Sequence, residues 1–210
     1  YNLAHSKALE MKLNGVKVFT GVALTKELAE REAPDVLVIA VGAEAVIPPI
    51  PGIDNPKVVV ANDLSEDGIL IGQRVVILGG GLVGCEASVH LAQEGKAVTV
   101  IEMLHDVAVD ANAKHRPILL SEMKKWGVVV SVKTQGLRIT DEGLTARLET
   151  GEEKLFPADT VLVAVGQRPL RAAVDELLDA APEVMQVGDC VRPQKVTEAL
   201  RRGYYAGLDI

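Results

Sequence analysis

The sequence has few aromatic residues, few cysteines and no long hydrophobic run. Phe, Trp and Tyr make up only 3% of its 210 residues, so the core is expected to be aliphatic. Its two cysteines, Cys85 and Cys190, are far apart, which excludes a CxxC pair, a zinc-ligand spacing and a disulfide framework. This cysteine usage predicts a reducing, cytoplasmic location. The longest apolar stretch, residues 36–53, is interrupted by Glu44 and three prolines and is not expected to span a bilayer.

Positive charge is also in the minority. Lys and Arg number 22 against 29 Asp and Glu, which gives a net charge of −7 and a pI near 5.2. Proteins that bind nucleic acids or anionic membranes present a basic surface, so neither is predicted as a partner. From Tyr1 onward there is no basic segment followed by an apolar one, and no signal peptide is expected.

Motifs for hydrolysis and for metal binding are missing as well. The sequence contains no GxSxG, HExxH or Walker loop. Its histidines lack the spacing of metal ligands. We therefore predict no metal site, and we name no catalytic residue.

Runs of β-branched residues alternate with helical patterns along much of the chain. A strand over residues 74–78, a helix over 82–94 and a strand over 97–101 form a βαβ unit, which predicts a parallel sheet. Between residues 137 and 156, short alternating segments separated by turns predict an antiparallel meander. The predicted fold class is therefore α/β, with a Rossmann-like parallel sheet and a small antiparallel meander.

The N-terminal region predicts further elements. A helix is expected over residues 1–13 and a short strand over 16–19. Thr25 is a candidate N-cap of a second helix. Residues 36–40 form a continuous apolar run, which predicts a strand buried on both faces. The prolines within 48–51 then indicate a connector between domains.

A glycine-rich turn between a predicted strand and a predicted helix is the most specific motif. It reads GxGxxG and consists of Gly79, Gly80, Gly81, Leu82, Val83 and Gly84. Gly79 permits the tight turn, Gly81 lets the backbone approach a pyrophosphate, and Gly84 lets the helix pack against the sheet. The free N–H groups of the helix N-terminus would bind the phosphates. We expect a dinucleotide site here; a glycine-rich turn without a ligand is the alternative.

Glu102 supports the dinucleotide interpretation. It ends the second strand of the unit, 23 positions after Gly79, where an acidic side chain can accept hydrogen bonds from both ribose hydroxyls of an adenosine. A carboxylate there repels a 2′-phosphate, and no Lys or Arg occurs between residues 103 and 113. These features predict NADH over NADPH. The alternative is a solvated glutamate at a strand end.

Some residues in and near these motifs allow two interpretations. Glu86 can approach the nicotinamide amide or ribose, or it can pair with His90 one helical turn later. We expect Cys85 to be a small buried residue rather than a reactive thiol. Asp189 precedes a helix predicted over 196–210, and its residue type suits a turn or an N-cap as well as a ligand.

An eight-residue pattern occurs twice in the sequence, at 35–42 and at 159–166. Each copy is an apolar strand that ends in a small-x-Gly turn. The repetition indicates two related nucleotide-binding lobes. The alternative is a chance similarity between two hydrophobic strands.

Together these motifs resemble the flavoproteins with two dinucleotide-binding domains, which pass hydride from a nicotinamide to FAD. The turn with Glu86 resembles the GxGxxGxE of their NAD lobe, and residues 164–169 resemble its returning AxGxxP turn. The resemblance implies an NAD(H) site that includes Gly79 to Gly84, Glu86, Glu102, Met103, Val165 and Gly166.

The resemblance extends to the FAD lobe of this family. Residues 34–42 resemble its closing strand and turn, and 188–190 resemble the GD motif whose aspartate holds the FAD ribitol. The implied FAD contacts are Ala40, Val41, Gly42, Gly188, Asp189, Lys195 and Val196. No second GxGxxG is present, so the FAD lobe is expected to be partial. Such a lobe is expected either to bind FAD weakly or not at all, or to be completed by a homo-oligomer.

Within this family, the motifs are most similar to the C-terminal part of the old-yellow-enzyme-like NADH:flavin oxidoreductases, such as enoate reductases and 2,4-dienoyl-CoA reductases. This implies a missing N-terminal barrel with FMN and an iron–sulfur cluster. It also implies an NAD lobe at residues 69–170, inserted between FAD-lobe segments at 1–68 and 171–210. The alternatives are a non-catalytic NADH-binding module and a disulfide reductase, although Cys85 and Cys190 do not form a redox pair.

Overall fold

A computed structural model describes residues 3–64 and 68–210. The described helices, α1 to α6, are Leu3–Leu13, Lys26–Glu32, Leu82–Gln93, Arg116–Lys125, Arg171–Asp175 and Val196–Asp209. The described strands, β1 to β12, are Val36–Ile39, Ala43–Ala45, Val58–Val60, Arg74–Leu78, Ala97–Ile101, Val129–Ser131, Gln135–Thr140, Gly143–Arg147, Glu153–Pro157, Thr160–Val163, Gln167–Pro169 and Glu183–Gln186. Short 3₁₀ turns lie at Ala61–Asp63 and Gly188–Cys190.

The central element is a five-stranded parallel sheet with the strand order β3-β10-β4-β5-β6. Its two faces are covered by different elements, because successive side chains of a strand point to opposite sides. Val75 and Ile77 of β4 pack against α3 and α4, whereas Val76 and Leu78 pack against the antiparallel sheet β7-β8-β9. Both the α/β class and the antiparallel meander that the sequence predicts are confirmed.

A smaller unit contains β1 and β12, which pair in parallel. Ile39 of β1 is 1% exposed and packs with Ala29 of α2 and Val174 of α5. Thr25 caps α2 as predicted, because its hydroxyl accepts a hydrogen bond from the N–H of Leu28. An antiparallel ribbon of β2 and β11 joins this unit to the central sheet.

Two expectations for the N-terminal region are wrong. Residues 16–19 are not a strand: Val18 and Phe19 are 57% and 74% exposed, and in the described part of the chain no strand pairs with them. Strand β1 is not buried on both faces, because its only described partner is β12 and Val38 is 38% exposed. The first two residues of the predicted helix over 1–13 lie outside the described residues; α1 begins at Leu3.

Candidate functional site

The glycine-rich turn lies where the order of the parallel strands reverses. From β4 the chain passes through α3 to β5 on one side, and β10 lies on the other side of β4. The turn therefore lies at the carboxyl edge of the sheet, where β4 has β5 on one side and β10 on the other. In open α/β sheets, ligands bind in the crevice at such a switch point.

The outer glycines of the turn are required by packing. Gly79 has φ +108°, and a Cβ there would collide with the carbonyl oxygen of Ala164. A Cβ on Gly84 would collide with the carbonyl oxygen of Gly79 and lie 3.3 Å from the Cβ of Ala164. These two glycines let α3 begin directly against the strand ends. Gly81 differs, because its nearest neighbour would be the carboxylate of Asp110 at 3.7 Å.

A groove of about 480 Å³ opens along this edge, which is within the usual size of a cofactor site. The ends of β4, β5 and β10 contribute to it. The predicted NAD residues that line it are Gly79, Gly81, Leu82, Val83, Glu102, Met103, Val165 and Gly166. Sequence reasoning missed the lining residues Asn62 and Gln167, whose side-chain amides lie 3.4 Å apart. Asn62 belongs to no motif, and Gln167 is a variable position of the turn at 164–169, so the sequence does not indicate that the two side chains meet.

Glu102 is held in a fixed orientation at the end of β5. Its Oε2 accepts a hydrogen bond from the N–H of Gly80 at 2.6 Å, and its Oε1 accepts one from the N–H of Leu104 at 2.7 Å. Each carboxylate oxygen has a further lone pair available for a ligand hydroxyl. The carboxylate is therefore fixed beside the glycine-rich turn, in the place where a ribose would need an acceptor.

A second carboxylate at the turn was not anticipated. Asp110 Oδ1 accepts a hydrogen bond from the N–H of Leu82, the first residue of α3, at 2.8 Å. A negative charge is favourable there because the N-terminal end of a helix carries positive potential. The sequence offers no signal for this contact, because Asp110 belongs to no motif and reaches α3 from the loop after β5.

Glu86 is not among the residues that line this groove, and its side chain is half exposed. It lies 3.3 Å from Nε2 of His115, whereas His90 lies 3.3 Å from Glu94. The pairing of Glu86 with His90, one of the two interpretations left open by the sequence, is therefore not observed, because each side chain has another partner. Gly80 and Gly84 are buried and do not line the groove. A contact of Glu86 with a nicotinamide stays a prediction.

Both cysteines are buried in separate parts of the core. Cys85 packs beneath the turn, and its Sγ donates to the carbonyl oxygen of Gly80 at 3.3 Å. Burial raises the pKa of this thiol to about 11, so it is protonated at neutral pH. Cys190 packs against Ile39 in the smaller unit. The predicted packing role of Cys85 is confirmed.

The residues predicted to contact FAD meet at the carboxyl ends of β1 and β12. The N–H of Val187 donates to the carbonyl oxygen of Ile39 at 3.0 Å, which brings Ala40 to Gly42 next to Gly188 and Asp189. Asp189 Oδ1 accepts a hydrogen bond from the N–H of Gln194 at 3.1 Å. It is thus a turn residue, as the sequence suggested.

The FAD residues further along the chain are exposed at the start of α6. Lys195 is at the N-cap position and Val196 is the first helical residue. A second groove of about 690 Å³ runs between β12 and α6. None of the predicted FAD residues is among those that line this groove, so the FAD contacts stay predictions. The only GxGxxG in the given sequence is the turn at Gly79.

The described residues do not gather three His, Cys, Asp or Glu side chains in a way that could hold a metal ion. Among the helices described here, none is long and apolar enough to cross a membrane.

Comparison with known proteins shows the family and the fold of the chain. The family described as "Pyridine nucleotide-disulphide oxidoreductase" matches residues 5–203. A bilirubin reductase from Mediterraneibacter gnavus is 36% identical over 94% of this chain and 31% of its own length. A cinnamate reductase from Clostridium sporogenes is 30% identical over 93% of this chain and 30% of its own length. A solved 2-naphthoyl-CoA reductase superposes with a TM-score of 0.92 at 31% identity, over 97% of this chain and 31% of that one.

The chain therefore belongs to the pyridine nucleotide-disulphide oxidoreductase family, whose members bind FAD and NAD(P)H. It spans about 31% of the length of the relatives and of the structure that it matches.

Proposed function

We propose that this member of the family binds NADH in the groove at the carboxyl edge of its five-stranded sheet and presents it to FAD for hydride transfer. The observation that carries the proposal is the glycine-rich turn at the switch point, with the Glu102 carboxylate 2.6 Å from the N–H of Gly80. Strand order, turn and acidic residue are the three parts that a dinucleotide site needs.

Each predicted NAD residue has a role in this proposal. Gly79, Gly80 and Gly84 shape the turn, and the backbone from Gly81 to Val83 binds the pyrophosphate. Glu102 accepts hydrogen bonds from the adenosine ribose hydroxyls and disfavours a 2′-phosphate, beside Met103. Val165 and Gly166 border the part of the groove that extends towards the smaller unit. Glu86 is the remaining candidate contact.

The smaller unit is proposed to hold part of FAD. Ala40 to Gly42 and Gly188 form the backbone wall, Asp189 accepts from the ribitol, and Lys195 and Val196 place the α6 N-terminus by the flavin. FAD, when bound, supplies the hydride acceptor, and the protein contributes orientation more than acid–base chemistry. In the proposed division, residues 69–170 form the NAD lobe, and residues 1–68 and 171–210 form the two segments of the FAD lobe. Strand β3 of the first segment pairs within the sheet of the NAD lobe.

In the longer proteins that this chain resembles, we propose that electrons pass onward to a barrel with FMN and an iron–sulfur cluster. The names of two relatives support a reductase of enoate or acyl-CoA type, since one is a cinnamate reductase and another a 2-naphthoyl-CoA reductase.

A second candidate is an NADH-binding module that carries no flavin. It is favoured by the small size of the FAD side, where β1 and β12 form a two-stranded sheet. A disulfide reductase is disfavoured for this chain, because Cys85 and Cys190 are buried in different clusters.

A visible absorption spectrum of the purified chain, followed by anaerobic titration with NADH, separates these functions. A flavin band that bleaches with NADH supports hydride transfer within this chain. A colourless protein that binds NADH supports the NADH-binding module. A chain that binds neither nucleotide contradicts both. A parallel titration with NADPH tests the preference assigned to Glu102, which equal affinities would refute.

A further inference from the structure

The carboxylate of Asp110 accepts a hydrogen bond from the backbone N–H that a bound dinucleotide would use. Its Oδ1 accepts the N–H of Leu82 at 2.8 Å, and both of its oxygens would lie 3.7 Å from a Cβ on Gly81. The first N–H groups of α3 have no acceptor within the helix. In a dinucleotide site of this type they bind the pyrophosphate, so the carboxylate lies in the pyrophosphate position.

An anion at this place and a bound pyrophosphate exclude each other. They would compete for one hydrogen-bond donor, and like charges at such short distance repel strongly. Nucleotide binding therefore requires the Asp110 side chain to leave the N–H of Leu82. This reasoning rests on the proposed NADH site.

The loop that carries Asp110 is anchored, while its side chain is free to move. The N–H of Ala108 donates to the carbonyl oxygen of Gly80 at 2.7 Å, and Arg116 donates to Asp106 and to the carbonyl oxygen of Val107. Asp110 itself is exposed. A rotation of its side chain into solvent is therefore sufficient to clear the site, with no displacement of the loop.

We propose that Asp110 is an internal competitor of the nucleotide pyrophosphate, which caps α3 in the free protein and rotates into solvent when NADH binds. It sets the affinity of the site: its carboxylate stabilises the free state, so each binding event must displace it. The consequence is weaker binding of the nucleotide than the glycine-rich turn alone would give.

The test compares the whole chain with its Asp110→Asn and Asp179→Asn variants. The Asp110→Asn side chain keeps an oxygen that can accept from Leu82 but loses the charge, so we expect a Kd for NADH about tenfold lower, by fluorescence titration. Asp179→Asn alters an exposed carboxylate that lines neither groove, and it is expected to leave the Kd within about twofold. Inorganic pyrophosphate should compete with NADH more strongly in the Asp110→Asn variant.

The ¹⁵N–¹H resonance of Leu82 reports the contact without NADH. It should move in free Asp110→Asn and not in Asp179→Asn. An unchanged Leu82 resonance, or a Kd for Asp110→Asn equal to or above that of the unmodified chain, overturns the proposal. If the resonance moves but none of the three proteins binds NADH, the proposed NADH site is wrong and the competitor role is overturned with it.

Discussion

Two glycines of the same turn are expected to respond to alanine in opposite ways. At Gly84 a methyl group would collide with the carbonyl oxygen of Gly79 and approach the Cβ of Ala164, both in the tightest contact between α3 and the sheet. At Gly81 the backbone is extended, with φ −68°, and the nearest atoms to a methyl group are the exposed carboxylate oxygens of Asp110. Gly84→Ala therefore perturbs the fold, and Gly81→Ala perturbs the groove.

The magnitudes follow from these contacts. Overpacking a close contact costs about 1–3 kcal/mol of unfolding free energy. In a chain of this length, each kcal/mol corresponds to a shift of about 2–4 °C in Tm, so Gly84→Ala should lower Tm by about 2–12 °C. Gly81→Ala meets no obstacle and should change the unfolding free energy by less than about 1 kcal/mol. Its methyl group would project towards the proposed pyrophosphate, so we expect the Kd for NADH to rise about tenfold or more.

The assay is thermal unfolding followed by circular dichroism, together with NADH titration of both variants. The titration of Gly81→Ala is interpretable because that variant retains the Tm of the unmodified chain. The reasoning about packing is refuted if Gly84→Ala melts within about 1 °C of the unmodified chain. The reasoning about the ligand is refuted if Gly81→Ala binds NADH as tightly as the unmodified chain does.

Further predictions concern three other side chains. Glu102→Ala should weaken NADH binding more than NADPH binding, because it removes both the ribose acceptor and the charge that repels a 2′-phosphate; an unchanged ratio of the two Kd values contradicts this role. Hydrogen bonds from Arg74 lower the pKa of Asp159 to about 2. The contribution of this carboxylate to stability is therefore present above pH about 4 and is lost between about 4 and 2, so Tm should depend less on pH over that range in Asp159→Asn. Cys85 should react with a thiol reagent at pH 8 only after unfolding, because its pKa is raised to about 11; rapid labelling of the folded chain refutes the burial argument.

Much of the central sheet was predictable because its signals are local. The runs in β4 and β5 are apolar enough to be buried on both faces, and the glycine-rich turn lies between a strand and a helix. Strand β3 was missed, since three valines become a strand only by pairing with β10, about a hundred residues later. The strand predicted at 16–19 was wrong for the converse reason, because its alternation has no partner in the described chain.

In the candidate site too, local motifs were predictable and contacts formed by the tertiary structure were not. Glu102 was identified because the spacing within one βαβ unit fixes its place relative to Gly79. Asp110 was not identified, although it contacts the same turn, because the path of the loop after β5 depends on tertiary contacts. One of them is the hydrogen bond from Ala108, a residue with φ +50°, to the carbonyl oxygen of Gly80. The glycine-rich motif indicates where a ligand would bind, but it does not indicate which side chain contacts that position in the free protein.

The repeated pattern acquires a structural meaning in the ribbon of β2 and β11. Each copy ends at a glycine with positive φ, Gly42 or Gly166, and the strands that follow pair with each other. The N–H of Leu170 also donates to the carbonyl oxygen of Gly42 at 3.3 Å. The ion pair of Arg168 with Glu44 adds little, because exposed pairs contribute weakly. The backbone register of this ribbon therefore sets the distance between the two turns. The proposed hydride transfer between a nicotinamide and a flavin would require that distance to be fixed.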